Sequence, residues 1–137
     1  MSAKVSRTVL KTSTSGDRRA KYNPESATFA AHQVDHVVAE KHGGRTDADN
    51  TALSCIVCNK RKGSDLTSID PVSRAIVPLF HPRKDCWSSH FQLVGGRIEP
   101  LTAVGRATVR LLQLNHPDRV EEREALIAAG LMVMPGA

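Results

Sequence analysis

Apolar and polar positions alternate in short extended stretches through the first two thirds of the chain and then shift to a helical repeat. In Ala27 to Val38, ATFAAHQVDHVV, the residues Phe29, Val34 and the Val37-Val38 pair predict an extended segment, a first strand ending near His36. Lys41 to Asp49 holds His42-Gly43-Gly44-Arg45-Thr46-Asp47, in which Gly supplies positive φ and Asp bonds its own backbone, so a loop is predicted. Thr51 to Val57 predicts a second short strand. Asn59 onward, NKRKGSDL, predicts a helix start that stops near Gly63 or continues through Asp65-Leu66.

Downstream, Asp70-Pro71 opens a turn and Ala75 to Phe80 is a short apolar strand. Phe91 to Val94 and Arg97 to Pro100 flank Gly95-Gly96 as a hairpin. From Thr102, a plausible N-cap, Val104, Ala107, Leu111 and Leu114 fall on one helical face, with Arg106, Arg110 and Gln113 elsewhere. A second helix opens at Asn115-His116-Pro117-Asp118, with Asp118, Glu121 and Glu122 near its positive end and Gly130 at its stop. The sum is an α+β fold: two strands and a helix, then a small β-hairpin and a C-terminal helical hairpin.

Composition sets the class without naming the chemistry. The chain has 137 residues, 40% apolar and 24% charged, which predicts one globular unit plus a tail. Only five residues are aromatic, so aliphatic side chains must carry much of the packing. No apolar run approaches the roughly 20 residues that cross a bilayer, and the basic N-terminus is not followed by an apolar export segment. An intracellular, cytoplasmic protein with no membrane partner is expected. Three cysteines, an odd number, fit a secreted disulfide framework badly, so Cys55 and Cys58 read as thiols or metal ligands.

The net charge of +5 lies almost entirely in residues 1–24, where Lys4, Arg7, Lys11, Arg18, Arg19 and Lys21 face Asp17 alone. Such a basic, Ser/Thr-rich arm can lie along a polyanion or be a solvated tail, and both readings stay open. The rest, residues 25–137, is taken as one domain with its core at about 28–66 and supporting elements at 70–134.

The chemistry sits in Val34 to Lys62. His36 is followed after thirteen residues by Asn50, and Asn50 after eight by Asn59. Phosphodiester cleavage needs a deprotonated water, a cation to neutralise charge on the phosphate, and stabilisation of the leaving alkoxide. A histidine is largely neutral yet still basic near neutral pH, which makes His36 the candidate base. Asp35 offers a carboxylate and Asn59 an amide oxygen to a hard divalent cation, with the substrate completing the shell. In a regular strand Asp35 and His36 point to opposite faces, so they serve one site only where the strand ends or bulges. Asn50 is placed to tie down the intervening loop through backbone bonds. Lys60, Arg61 and Lys62, expected at a helix start where cations oppose the dipole, are candidate phosphate contacts.

These residues resemble the HNH endonuclease motif, whose fold is the ββα-metal, or His-Me, finger. The resemblance implies that His36 is the general base, that Asp35 and Asn59 bind one divalent metal, Mg²⁺ or a similar ion such as Mn²⁺, that Asn50 holds the loop, and that DNA is the partner. The downstream stretches DPVSRAIVPLFHPRKDCWSSHF and LTAVGRATVRLLQLN are similar to a bacterial HNH subfamily, so the resemblance covers roughly residues 26–134.

One departure lies upstream. Many relatives carry two Cys-x-x-Cys pairs around a structural zinc, whereas this chain has only Cys55 and Cys58, with Arg19 and Tyr22 near the place of the first pair. Two cysteines cannot close a tetrahedral site unless His32, His42 or a second chain contributes. Reduced, buried thiols without zinc are therefore expected. The rival functional reading is a non-catalytic nucleic-acid-binding module on a degenerate finger; a zinc-ribbon interaction domain is disfavoured by the shortage of ligands.

Overall fold

The structure, a computed structural model, describes residues 32–132. The basic arm, the region from Arg18 to Ala27 and the first residues of the expected first strand lie outside the described residues.

Strand β1, His32–His36, pairs antiparallel with β2, Thr51–Cys55, in a register that sets His36 opposite Thr51 and His32 opposite Cys55. The connection holds two single helical turns, Glu40–His42 and Ala48–Asn50. Helix α1, Ile56–Lys62, follows β2 without a linker because Cys55 both ends the strand and caps the helix, its Sγ accepting the Cys58 N–H at 3.3 Å.

Here the sequence expectation is corrected: the second strand stops before Val57, and the helix begins at Ile56 rather than Asn59. A thiol is not among the usual capping side chains, so the start signal was hidden. The shift moves Lys60, Arg61 and Lys62 from a first turn to the last one. At that end cations complement the helix dipole rather than oppose it, which removes the dipole argument for a purely functional role.

Strands β3, Thr67–Ile69, and β4, Ile76–Pro78, form a second antiparallel pair with Ile69 opposite Ile76. β3 was not expected, since three residues are too few for a readable period. The turn between them is organised by Asp70, which is fully buried. Its carboxylate takes a bidentate pair from Arg106, Nε and Nη2 both at 2.8 Å, and also accepts the N–H groups of Val72 and Ser73 and the Ser73 hydroxyl. The guanidinium beside it holds the Asp70 carboxyl well below the usual carboxylate range.

A four-residue helix, α2, Trp87–His90, leads into the third antiparallel pair, β5, Phe91–Val94, and β6, Arg97–Pro100, the expected hairpin. Helix α3, Ala103–Leu112, is capped by Thr102, whose hydroxyl accepts the Gly105 N–H. Helix α4, Pro117–Ala128, has proline in its first turn and is capped by His116 Nδ1. Among the described residues no helix is long and apolar enough to cross a membrane.

One apolar core joins the ββα unit to α2, the β5–β6 hairpin and α3, with Cys55 and Cys58 packed together with Phe80, Trp87, Phe91, Ile98, Leu112 and Leu114. Three aromatic rings stand at its centre: Phe80 meets Phe91 edge-on at 5.2 Å and Trp87 lies 5.3 Å from Phe91. Of the expected row, Ala107 and, just past the helix, Leu114 are buried and Val104 packs against the core, but α3 turns Gly105, Thr108 and Leu112 inward and leaves Leu111 half-buried. Thr108 is polar, yet its hydroxyl donates to the Val104 carbonyl and accepts the Phe80 N–H, so it is buried with its hydrogen bonds made. Helix α4 buries no residue fully and is held instead by arginines: Arg123 donates to the carbonyls of Gly96 and Leu114.

Candidate active site

β1 and α1 face each other through two polar rungs. Gln33 and Asp35 are two residues apart and so share one face of the strand, while Asn59 and Lys62 are three apart and share one face of the helix. Asn59 Nδ2 donates to Gln33 Oε1 at 2.7 Å, and Lys62 Nζ lies 3.4 Å from Asp35 Oδ2. Gln33 carries no signal in the sequence that would have marked it as a partner.

Asp35 and Lys62 are mostly enclosed, with 13% and 15% of their side chains exposed. Lys62 also donates to the His36 carbonyl at 3.0 Å, so its ammonium sits among oxygen atoms rather than in solvent. Burial pushes the Asp35 carboxyl up from its ordinary value; Lys62, and less so His36, pull in the opposite direction without cancelling it.

His36 turns to the other side of the strand. Its Nε2 is 2.8 Å from Thr46 Oγ1, and Thr46 donates to Glu40 Oε2 at 3.4 Å. Thr46 thus stands between the ring and the Glu40 carboxylate; in the tautomer that carries the proton on Nε2, the ring donates to Thr46 and Nδ1 is left to accept a proton. Neither Thr46 nor Glu40 stood out in the sequence. They reach His36 because the loop folds back over the end of β1, which finishes at His36.

Asn50 is what folds it back. Its Oδ1 accepts the Val38 N–H at 2.9 Å, and its Nδ2 donates to the carbonyls of Val38 at 2.9 Å and Arg45 at 2.7 Å. The Asn50 carbonyl receives the Val37 N–H at 2.8 Å, so both edges of the loop are tied to one residue. The two glycines serve the same closure. Gly43 has φ +89, and a Cβ on Gly44 would lie 1.7 Å from the Val38 carbonyl oxygen, a position no side chain can share.

Of the basic run, only Lys60 is exposed; Arg61 Nη1 donates to the Leu112 carbonyl at 3.3 Å and Lys62 is turned inward. The cysteines form a separate centre. Cys55 and Cys58 are buried free thiols, and Arg119 Nη1 from α4 points at Cys55 Sγ at 3.6 Å. The Cys58 thiol bonded to it, with Arg119 nearby, brings Cys55 down to about 6, while the same bond and burial push Cys58 up. His32 lies opposite Cys55 in the strand register, and His42 is exposed on the loop.

Among the described residues no three His, Cys, Asp or Glu side chains converge as a metal cage. The donor chemistry nonetheless suits an oxygen-seeking cation: a carboxylate whose burial a single ammonium does not offset, and an amide on the same side of the unit. Asp35 already holds a cation, in the form of Lys62.

The model of a family described as HNH endonuclease matches residues 21–65, the stretch that ends just after α1 and whose first residues lie outside the described ones. No curated protein and no solved structure matches the chain. The family match thus covers the ββα unit and none of the elements from β3 onward. Over residues 21–65 the chain is thus similar to the HNH endonuclease family, nucleases that act on nucleic acid and generally use a divalent metal.

Proposed function

We propose that the chain is a metal-dependent HNH endonuclease that hydrolyses phosphodiester bonds in DNA. The observation that carries this reading is the His36 ring, tethered through Nε2 to Thr46 at the end of β1, with Asp35 beside it in sequence and Asn59 on the facing helix. His36 Nδ1 takes the proton of the attacking water. The positive charge the ring then acquires is met through Thr46 by the Glu40 carboxylate, whose Oε2 lies 3.9 Å from Nε2.

Asp35 and Asn59 would hold the divalent cation, Mg²⁺ or Mn²⁺. When bound it supplies the positive charge that steadies the scissile phosphate and the departing oxygen. Asn50 does no chemistry; it keeps Thr46 and Glu40 in reach of the base by closing the loop. Lys60, being exposed, is the first member of the basic run to meet flanking phosphates, with Arg61 and Lys62 committed to the fold.

A second reading, a non-catalytic nucleic-acid-binding module, is favoured by one feature: Asp35 is engaged by Lys62 and Asn59 by Gln33. Incubating purified protein with supercoiled plasmid and Mg²⁺ or Mn²⁺ separates the two. Nicking abolished by EDTA and by His36→Ala supports the enzyme; nicking that survives either control defeats the mechanism, and DNA binding without nicking supports the module.

A further inference from the structure

A cleft of about 390 Å³ opens between the β3–β4 pair and the C-terminal end of α3, lined by Ser68, Ile69, Arg74, Arg110, Leu111 and Gln113. None of these residues lies within the HNH match. The lining contains two exposed arginines and no acidic residue. The nearest buried carboxylate, Asp70, is neutralised by Arg106.

The two walls are held rigidly. Arg74 has φ +67 and Gln113 φ +51, and they are the only non-glycine residues with positive φ among those described. Such backbone persists only where its surroundings enforce it. Asp70 enforces the first: its carbonyl accepts the Arg74 N–H at 2.8 Å while its carboxylate gathers Val72, Ser73 and Arg106. The second closes α3, with the Gln113 N–H returning to the carbonyls of Arg110 and Val109. A fully buried, multiply bonded aspartate thus presents one exposed arginine on a fixed turn, across from another on a helix end.

We propose that this cleft binds the phosphodiester backbone of the nucleic acid, with Arg74 and Arg110 contacting phosphates away from the cut; the proposal rests on the nuclease reading above. The chemistry favours a backbone over a small anion. The arginines come from separate elements, the turn after β3 and the end of α3, and share the lining with Ile69 and Leu111, apolar surface that suits the sugars alternating with phosphates along a strand. Arg61 bridges α1 to the Leu112 carbonyl, so the cleft and the HNH unit share one frame and can engage one ligand together.

The test is binding of a short fluorescein-labelled DNA duplex to the full chain in EDTA, followed by anisotropy across a salt series. Arg74→Ala and Arg110→Ala should each lower the slope of log affinity against log salt by about 0.9, the value for one lost phosphate contact. Arg74→Lys and Arg110→Lys, which keep the charge, should restore most of it. An unchanged slope in both alanine variants overturns the proposal, as does an equal loss in Lys84→Ala, an exposed cation outside the cleft. If the wild-type chain binds no DNA at all, the nuclease reading falls as well, a result distinct from wild-type binding that the arginines do not affect.

Discussion

The Lys62 ammonium stands 3.4 Å from the Asp35 carboxylate, an ion pair in which both partners are mostly enclosed. It makes Lys62 a tethered competitor for any metal at Asp35, because one carboxylate cannot serve an ammonium and a divalent cation equally. Lys62→Met should destabilise the metal-free protein by about 3 kcal/mol, the cost of leaving a buried charge unpaired. Added Mn²⁺ should recover more stability in this variant than in the wild type, since binding to the folded state adds by mass action. Urea melts with and without Mn²⁺ check both; equal gains would mean that Lys62 and the metal do not share Asp35.

Asn50 spends both ends of its amide on the loop that carries Thr46. Asn50→Ala removes three bonds and leaves the Val38 N–H and carbonyl without them, for an expected loss of about 2 kcal/mol. Nicking should fall at least ten-fold while the β5–β6 hairpin and α3 stay protected in amide exchange. If Val38 exchanges no faster in the variant, the residue does not hold the loop.

Thr46 is predicted to orient the base. Thr46→Val keeps the shape and removes the hydroxyl, so kcat should drop by about ten-fold with little change in KM, and Thr46→Ser should restore it. Glu40→Gln should show a smaller effect, being one bond farther from the ring. A kcat untouched by Thr46→Val would remove Thr46 from the mechanism.

Cys55 should be a thiolate at neutral pH, held by the Cys58 thiol and by Arg119. Its folded value, about 6, lies below that of a free thiol, about 8.5. The stabilisation is therefore complete above the free-thiol range, shrinks as pH falls, and is lost once pH passes below about 6. Ultraviolet thiolate absorbance should titrate near that value in the wild type and shift upward in Arg119→Met. A titration in the ordinary thiol range in both proteins would refute the pairing.

Local patterning was enough for much of the fold. Gly95-Gly96 between two alternating stretches marked the β5–β6 hairpin, and Thr102 and Pro117 marked the starts of α3 and α4, because turns and caps are decided by residues close in sequence. The cap of α1 was missed because a thiol performs it, and β3 because its partner, β4, is supplied by a turn that Asp70 builds with a distant Arg106. The burial of Leu112 in place of Leu111 likewise depended on Thr108 finding bonds to Val104 one turn back in its own helix and to the distant Phe80.

The same division runs through the site. The sequence by itself determined which chemical groups are present and how far apart they lie along the chain: Asp35, His36, Asn50 and Asn59, with two glycines where the loop must close. Only the tertiary structure decided what each group touches. Thr46 and Glu40 meet His36 because Asn50 pulls the loop over the strand end, and Lys62 meets Asp35 because a helix beginning at Ile56 turns that lysine toward β1. Spacing along a chain sets which residues can meet, but a three-residue shift in a helix start displaces every side chain on it by about 4.5 Å along the axis and turns it by about 60°, and that shift was set by a cysteine in the core.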